Sequence, residues 1–528
     1  LKSEDFVQLL SKCPSYSYWE NIGIKNHHGI VIPIFSLRTK KSCGVGEFPD
    51  LFLLVDWCKQ VGFDVIQLLP LNEMGDDDFS PYNTISSCAL EPLFLGLRHL
   101  DYLHEFPSLE KKLDNFEKLN NLKNVDYKKL KEEKYIWLKE YFDLTFSKIE
   151  QSPNYKNFIK QNTWLQPYAI FKILKEEHTP LKWNRWPEKL KNISEKLLKI
   201  LLERYNNKCH FLYFLQYLCF KQMEEIKEYS TDNKIFIKGD IPILINRNSA
   251  DVWYYRQFFD VVHSAGCPPD DFNSEGQNWG FPLFNWSALK ADGFSWWKRR
   301  LNVASSCYHL FRIDHAIGFF RIWTMLKNEN ALEGKFLPKH PDEWERQGRE
   351  NLLMLLHSSS MIPIAEDLGL IPKMAYKVLK ELGICGTKVV RWQKKFGNFI
   401  KYNKYEPISV TTLGTHDMPL MAEWWHKFPS QAKKFSKFNK WKYFSDLTFE
   451  NRKDLLKQTH NTSSILHINL LQEYLALFPD LVFEDPKEER INVAGLISEK
   501  NWTYRTKVFL EDIISHQGLI NILKEIIP

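Results

Sequence analysis

The sequence predicts a (β/α)8 barrel enlarged by inserted, mainly helical subdomains, and three observations lead there. Eight short β-branched runs are spread along 528 residues with helical or long loop-bearing segments between them, the pattern of a parallel sheet built with crossovers. Three stretches run from apolar residues into a carboxylate, as barrel strands do when they deliver an acid to the C-terminal mouth. The glycine-rich phosphate loop that usually marks an open doubly wound sheet is missing: Gly44-Val45-Gly46 has no third glycine and follows no βα unit.

The strand candidates are Ile30 to Ile34, Val65 to Leu69, Ile235 to Asp240, His309 to Asp314, Pro363 to Glu366, Lys388 to Trp392, Val410 to Gly414 and Ile491 to Ala494. Between the first two, Phe48 to Trp57 sets a proline near a helix start and then apolar residues at helical spacing. After the fifth, Ile371 to Leu382 repeats the pattern and stops at Gly383. The gap between the second and third strands, about 96–234, is far too long for one crossover. Leu130 to Ile149 and Leu198 to Glu228 read as helices within it, so a helical subdomain is inserted there. A second excursion, about 251–300, carries Pro268-Pro269-Asp270 and Gly276-Gln277-Asn278-Trp279-Gly280 and reads as an active-site loop region. A third, about 419–489, reads as helical and lysine-rich before the last strand. All three interrupt one catalytic domain spanning 1–528.

Lys and Arg number 71 against 65 Asp and Glu, which leaves a net charge of only +6. The lysines of Lys111 to Lys134 come without an aromatic-basic recognition pattern, so they read as a solvated face and no nucleic-acid partner is expected. Nine scattered cysteines, nowhere spaced as CxxC, are expected to be reduced and structural. The opening Leu1-Lys2-Ser3-Glu4-Asp5 lacks a basic segment followed by an apolar core, and no window reaches about 18 uninterrupted apolar residues. The expectation is a cytoplasmic protein with no membrane partner, of undetermined oligomeric state.

The carboxylate-bearing segments are Phe311-Arg312-Ile313-Asp314-His315, Ile364-Ala365-Glu366-Asp367-Leu368-Gly369 and Leu413-Gly414-Thr415-His416-Asp417. Cleavage of a glycosidic bond needs such a set: one carboxylate attacks or stabilises the sugar cation, another protonates the leaving oxygen, and a third tunes both. Residues i and i+2 of a strand share a face, so Arg312 and Asp314 should meet at the mouth. The guanidinium then predicts an ionised, low-pKa Asp314, as a nucleophile requires. Glu366, after Pro363-Ile364-Ala365, is expected in a half-apolar setting with a raised pKa, suited to a general acid. Each also has a plainer reading: an ordinary Arg312–Asp314 salt bridge, and Glu366-Asp367 as an acid pair at a helix N-terminus. His315 and His416 read either as hydrogen-bond donors to sugar hydroxyls or as metal ligands. The absence of HExxH and of clustered Cys/His spacing weighs against a metal, and the chemistry calls for no cofactor.

These segments, in this order, resemble the α-amylase clan, and the surrounding blocks resemble the 4-α-glucanotransferases called amylomaltase or disproportionating enzyme. The blocks are Ser80-Pro81-Tyr82, Gly239-Asp240-Ile241-Pro242 with Ser249-Ala250-Asp251-Val252-Trp253, Ala265-Gly266-Cys267-Pro268-Pro269-Asp270, Gly276 to Gly280, and Arg490-Ile491-Asn492-Val493-Ala494-Gly495 followed by Asn501-Trp502. The resemblance implies Asp314 as nucleophile, Glu366 as acid/base and Asp417 as transition-state stabiliser. Arg312, His315, His416 and Asp240 would line the donor-sugar subsite, with Tyr82 stacking on that sugar and Gln277 and Trp279 on a loop that helps close the cleft. For Tyr82 and Trp279 plain core packing is the competing explanation. The chain departs from the family pattern at Phe281, where asparagine is common, at Asp271, where an aromatic often precedes Phe272, at Ala494, where a proline often precedes the glycine, and over Lys327 to Gln347.

The implied reaction is a retaining double displacement through a covalent glucosyl-enzyme, with the Asp314 and Glu366 carboxyls about 5 to 5.5 Å apart. Donors would be maltodextrins and glycogen-derived α-1,4-glucans, and glucose an acceptor. Two alternatives remain: an α-1,4-glucan hydrolase of the same clan, and a catalytically silent glucan-binding protein, the latter disfavoured because it would need none of the three carboxylates.

Overall fold

The computed structural model of the protein describes residues 1–75, 78–269, 274–496 and 498–528. Eight parallel strands form its centre: β1 His27–Val31, β2 Val65–Gln67, β3 Phe236–Ile241, β4 Leu310–Ile313, β5 Ile362–Ala365, β6 Gly386–Val389, β7 Ser409–Thr412 and β8 Leu466–Leu470. β1 to β5 pair in sequence order, as do β6 to β8, and β8 returns to β1 with His467 beside His28. Most of these strands are buried on both faces, as a parallel sheet covered by helices requires.

The circle closes between β5 and β6 more sparely than elsewhere. Ile364 bridges to Cys385, and the Ala365 amide donates to the Cys385 carbonyl at 2.8 Å. Side chains lace the rest of this seam. Asp367 accepts from the Thr387 amide at 2.5 Å, and Thr387 Oγ1 donates to the Ala365 carbonyl at 3.0 Å. Gly386 admits the carboxylate, since a Cβ there would sit 2.4 Å from Asp367 Oδ2. Glu366-Asp367 is therefore no helix-terminal acid pair: the next helix, Lys373–Leu382, begins several residues later, and Asp367 serves the barrel closure.

Helix Asp50–Val61 follows Pro49 and stops at Gly62, whose φ of 95° only glycine adopts readily; helix Lys373–Leu382 ends likewise at Gly383. The long gap after β2 is helical, but the expected Leu198 to Glu228 helix breaks at Tyr205 into Glu195–Arg204 and Asn206–Asp232. The second of these also leads back to the barrel: Tyr229 packs on Phe52 at 5.0 Å and its hydroxyl donates to Asp56 at 2.6 Å. A fully buried Lys134 in helix Tyr127–Ile149 pairs with Glu47 at 2.8 Å and pins the inserted helices to the barrel loop.

One expectation is corrected. The eighth strand is Leu466–Leu470, inside the stretch read as helical, while Ile491 to Ala494 is a loop whose Ile491 is buried. The alternating polar residues hid this strand. His467 stacks flat on His28 at 4.9 Å, and the Asn469 amide donates to Tyr474 Oη at 3.0 Å while its carbonyl accepts from the Leu413 amide at 2.9 Å. Between β6 and β7 the connection is a short hairpin, Lys394–Lys395 with Asn398–Phe399, and 3-10 turns.

A second, antiparallel sheet comprises His263–Cys267, Gln277–Asn278, Ile322–Leu326 and Lys335–Leu337, with Gln277–Asn278 on one edge and Lys335–Leu337 on the other. The poorly matching Lys327 to Gln347 stretch thus extends the sheet that carries the Gln277 loop. Asp270, Asp271 and Phe272 lie outside the described residues. Among the described residues no helix is long and apolar enough to cross a membrane.

Candidate active site

Arg312, on β4, is the hub of the barrel mouth. Its Nη1 donates to both Asp240 oxygens, at 2.9 and 2.7 Å, and lies 3.3 Å from Tyr82 Oη, which itself donates to Asp240 Oδ2 at 2.7 Å. Its Nη2 lies 3.0 Å from Asp314 Oδ1 and 3.0 Å from Glu366 Oε2. These two oxygens can therefore be no farther apart than twice that distance, about 6 Å, short of the roughly 6.5–9.5 Å that leaves room for a water in an inverting site. Strand register creates the cluster, because Asp240 on β3 and Ile364 on β5 both lie beside Arg312.

Glu366 is not in a half-apolar setting: besides Arg312, its Oε2 accepts from the His315 amide at 2.7 Å. His315 reaches that pose with φ 47°, a left-handed conformation uncommon for a side-chain-bearing residue. Across the mouth, Asp417 is held from two sides, with His416 Nε2 at 3.3 Å and the Asn492 amide donating to its Oδ1 at 2.6 Å. Arg490 Nη2 donates to the Asp417 carbonyl at 3.1 Å and to the Asn492 carbonyl at 2.7 Å, which fixes the two loops together. The Tyr82 ring stacks on His416 at 5.2 Å with 15° between planes, and Trp502 leans on both.

Trp279 stands edge-on to His315 at 4.9 Å, and its indole donates to Gln277 Oε1 at 2.8 Å. Both line a cleft of about 1380 Å³ together with Tyr82, Asn492 and Trp502. Aromatic walls with amide and hydroxyl groups between them suit the alternating apolar faces and polar edges of sugar rings. Among the described residues no group of three or more His, Cys, Asp or Glu is placed to hold a metal ion.

Electrostatics reverse one expectation. Burial, opposed by Arg312 and reinforced by the charges of Glu366 and Asp240, pushes Asp314 up to about 7, although 28% of its side chain still meets water. The low pKa anticipated for an Arg312–Asp314 pair fails chiefly because burial disfavours the charge, with Glu366 and Asp240, which share the same guanidinium, adding to the rise. Asp417 goes the other way. Burial disfavours its charge, yet His416, Asn492 and Arg312 together hold its carboxyl well below the usual range. Burial lowers His315, while Asp417 outweighs burial at His416 and raises it.

The structure thus gathers Asp314, Glu366, Asp417, Tyr82, Asp240, Arg312, His315 and His416 around one mouth, with Gln277 and Trp279 at its rim. Asn492 and Trp502 had drawn attention only as parts of matching blocks. Asn492 sits where β-branched neighbours had suggested a strand, and nothing in its local sequence points to a partner 75 positions earlier.

The model of a family described as 4-alpha-glucanotransferase matches residues 32–511. The chain is 43% identical over 519 residues to a 4-alpha-glucanotransferase of Chlamydia pneumoniae, covering 97% of this chain and 98% of the relative. It is 42% identical over 521 residues to the one of Chlamydia caviae, covering 97% and 96%. Among solved structures, it is similar to an amylomaltase from Streptococcus agalactiae in complex with acarbose, with TM-score 0.81, 25% identity, and coverage of 95% of this chain and 98% of that one.

Proposed function

The chain belongs to the 4-alpha-glucanotransferase family and is an enzyme that transfers α-1,4-glucan segments, and from that premise we propose how its cleft divides the work. Asp314 is the nucleophile, Glu366 the acid/base and Asp417 the residue that grips the distorted sugar through its hydroxyls. The observation that carries this reading is the Arg312 Nη2 bridge, which keeps one oxygen of Asp314 and one of Glu366 within about 6 Å of each other, short of the spacing an inverting site needs and open to a retaining double displacement.

Glu366 protonates the 4-oxygen that leaves while Asp314 bonds to C1, and the deprotonated Glu366 then takes the proton of an incoming 4-hydroxyl. The dyad supplies that first proton. Asp314, pushed up to about 7 chiefly by burial, retains a proton near neutral pH in the free enzyme, and the proposed mechanism requires the productive complex to have Asp314 charged and the proton on the acid/base. Asp417, kept ionised by His416 and Asn492, offers a fixed anion to sugar hydroxyls and to the cationic character developing at C1. Tyr82, Asp240, Arg312, His315 and His416 line the donor subsite. The Gln277 and Trp279 hairpin excludes water, so that a second sugar completes the reaction.

Donors are maltodextrins and glycogen-derived α-1,4-glucans, and acceptors are shorter maltodextrins or glucose. The acarbose held by the Streptococcus agalactiae amylomaltase supports a glucan-shaped cleft. Maltotriose should give glucose plus a ladder of longer maltodextrins; shorter sugars alone would make the enzyme a hydrolase. A 5-fluoro-glucosyl fluoride should leave its label on the peptide bearing Asp314, and labelling elsewhere would refute the nucleophile assignment.

A further inference from the structure

We propose that Arg247 is a positioning residue: it locks the hairpin over the mouth in the pose that admits a sugar hydroxyl and excludes water, and so sets the ratio of transfer to hydrolysis. The proposal rests on the reading that the Gln277 and Trp279 hairpin closes the cleft.

Arg247 lies in the loop after β3, seven positions beyond Asp240, and is half-buried. Its guanidinium holds four acceptors on both arms of the hairpin. Nε donates to the Gly280 carbonyl at 3.1 Å, Nη2 to the His263 carbonyl at 2.7 Å and to Ser264 Oγ at 3.1 Å, and Nη1 to the Val261 carbonyl. Among the described residues it forms no ion pair. Asp260, whose charge reaches Arg247, is itself engaged by His263 Nδ1 at 2.7 Å, so the hydrogen bonds of the Arg247 guanidinium go to backbone carbonyls and the Ser264 hydroxyl.

The hairpin is paired to its sheet through one arm, and at its edge strand the Asn278 side-chain amide donates to the Lys327 and Glu329 carbonyls at 3.3 and 3.1 Å, which leaves the Gly280 turn beyond it to other contacts. His263–Cys267 is paired along its length to Ile322–Leu326, but Gln277–Asn278 is an edge strand. Beyond it, the Trp279 amide donates to the Ala265 carbonyl at 3.0 Å and the Ala265 amide to the Phe281 carbonyl at 2.9 Å. The intervening Gly280 carbonyl therefore points away from the sheet, as alternate edge carbonyls do, and Arg247 is what it meets. Gly280 itself has φ 75° and open space where a Cβ would be, so no side chain packs this turn in place.

One residue before it, Trp279 stands on His315, whose amide donates to Glu366 Oε2. The contacts thus run from the Arg247 fork, through the hairpin edge and the indole, to the residue that must choose between water and a sugar hydroxyl. A planar five-donor fork can serve four divergent acceptors at once; an ammonium cannot.

The test compares Arg247→Met and Arg247→Lys with the parent enzyme on maltotriose. Glucose release reads total turnover, and net new reducing ends, which transfer does not create, read hydrolysis. In Arg247→Met total turnover should stay within about threefold while the hydrolytic share rises about tenfold or more. The KM for glucose as acceptor should rise and the donor KM should not, with Arg247→Lys intermediate. A role in stability alone would lower transfer and hydrolysis together and overturn the proposal. Should Arg247→Met fail to fold, Arg247→Lys decides by the same ratio. Trp279→Ala separates the two levels: if it shifts the ratio and the Arg247 variants do not, Arg247 has no positioning role and the closing hairpin stands. If no variant shifts it, the closing hairpin falls as well.

Discussion

Replacing Asp240 with asparagine should move the alkaline limb of activity to lower pH. Asp240 and Asp314 bind opposite nitrogens of Arg312, at 2.7 and 3.0 Å, which puts the two charges about 7 Å apart. At that distance their repulsion is about 0.6 kcal/mol with water-like screening and about 2.4 kcal/mol at an effective dielectric of about 20. Removing the Asp240 charge should therefore lower the Asp314 titration by about 0.4 to 1.7 pH units, and freeing Arg312 from one anion acts in the same direction. Asp314 is pushed up to about 7 in the free enzyme, so kcat/KM, which reports free-enzyme ionisations, should fall above about pH 7 as the dyad loses its proton. Initial rates of maltotriose disproportionation from about pH 5 to 9 give the limb, whose position is independent of any loss of amplitude in Asp240→Asn. A limb that stays in place or moves to higher pH would refute the shared-guanidinium account.

Three further outcomes follow from the same geometry. Asn492→Ala removes the 2.6 Å donor to Asp417, a charge-assisted bond of about 1.5 to 3 kcal/mol, and should lower kcat by about 10- to 100-fold; a change confined to donor KM would argue that Asn492 only contacts substrate. Lys134→Met leaves Glu47 buried without its 2.8 Å partner and should cost about 3 to 5 kcal/mol in urea unfolding, whereas a neutral result would mean water reaches Glu47. His28, His460 and His467 are buried as neutral imidazoles, with burial lowering His28 to about 4 and His467 to about 3. Because these folded values lie below the unfolded one, their stabilising contribution is complete above about pH 6.5 and is lost as pH falls through it. The loss is about 2 kcal/mol per imidazole by pH 5, and an unfolding midpoint unchanged between pH 7.5 and 5 would contradict it.

Seven of the eight barrel strands were legible because each contains β-branched residues within a short run that is mostly buried. Leu466–Leu470 escaped because its polar residues answer to partners far away in sequence: His467 to His28, Asn469 to Leu413 and Tyr474. Ile491 to Ala494 misled for the converse reason, since a buried loop anchor has the same composition as a strand. At the mouth, strand alternation was enough to bring Arg312 onto Asp314. It could not show how deeply Asp314 is buried, which raises its pKa, nor that Asp240 and Glu366 bind the same guanidinium, a fact of register between three strands that adds to the rise. Arg247 was invisible for a related reason, because every acceptor it holds is local to the hairpin and three of the four are backbone carbonyls with no residue signature.

The sparse junction between β5 and β6 divides the three acids into two banks. Asp314 and Glu366 follow β4 and β5, which are hydrogen-bonded along their whole length, whereas Asp417 follows β7 on the far side. A small widening of the barrel there would leave Asp314 and Glu366 at fixed spacing and carry only Asp417 outward. On the roles proposed above, bond making at C1 would then be insulated from such a widening, while Asp417, proposed to grip the ring hydroxyls, would move with the far bank as the pyranose flattens and recovers its chair.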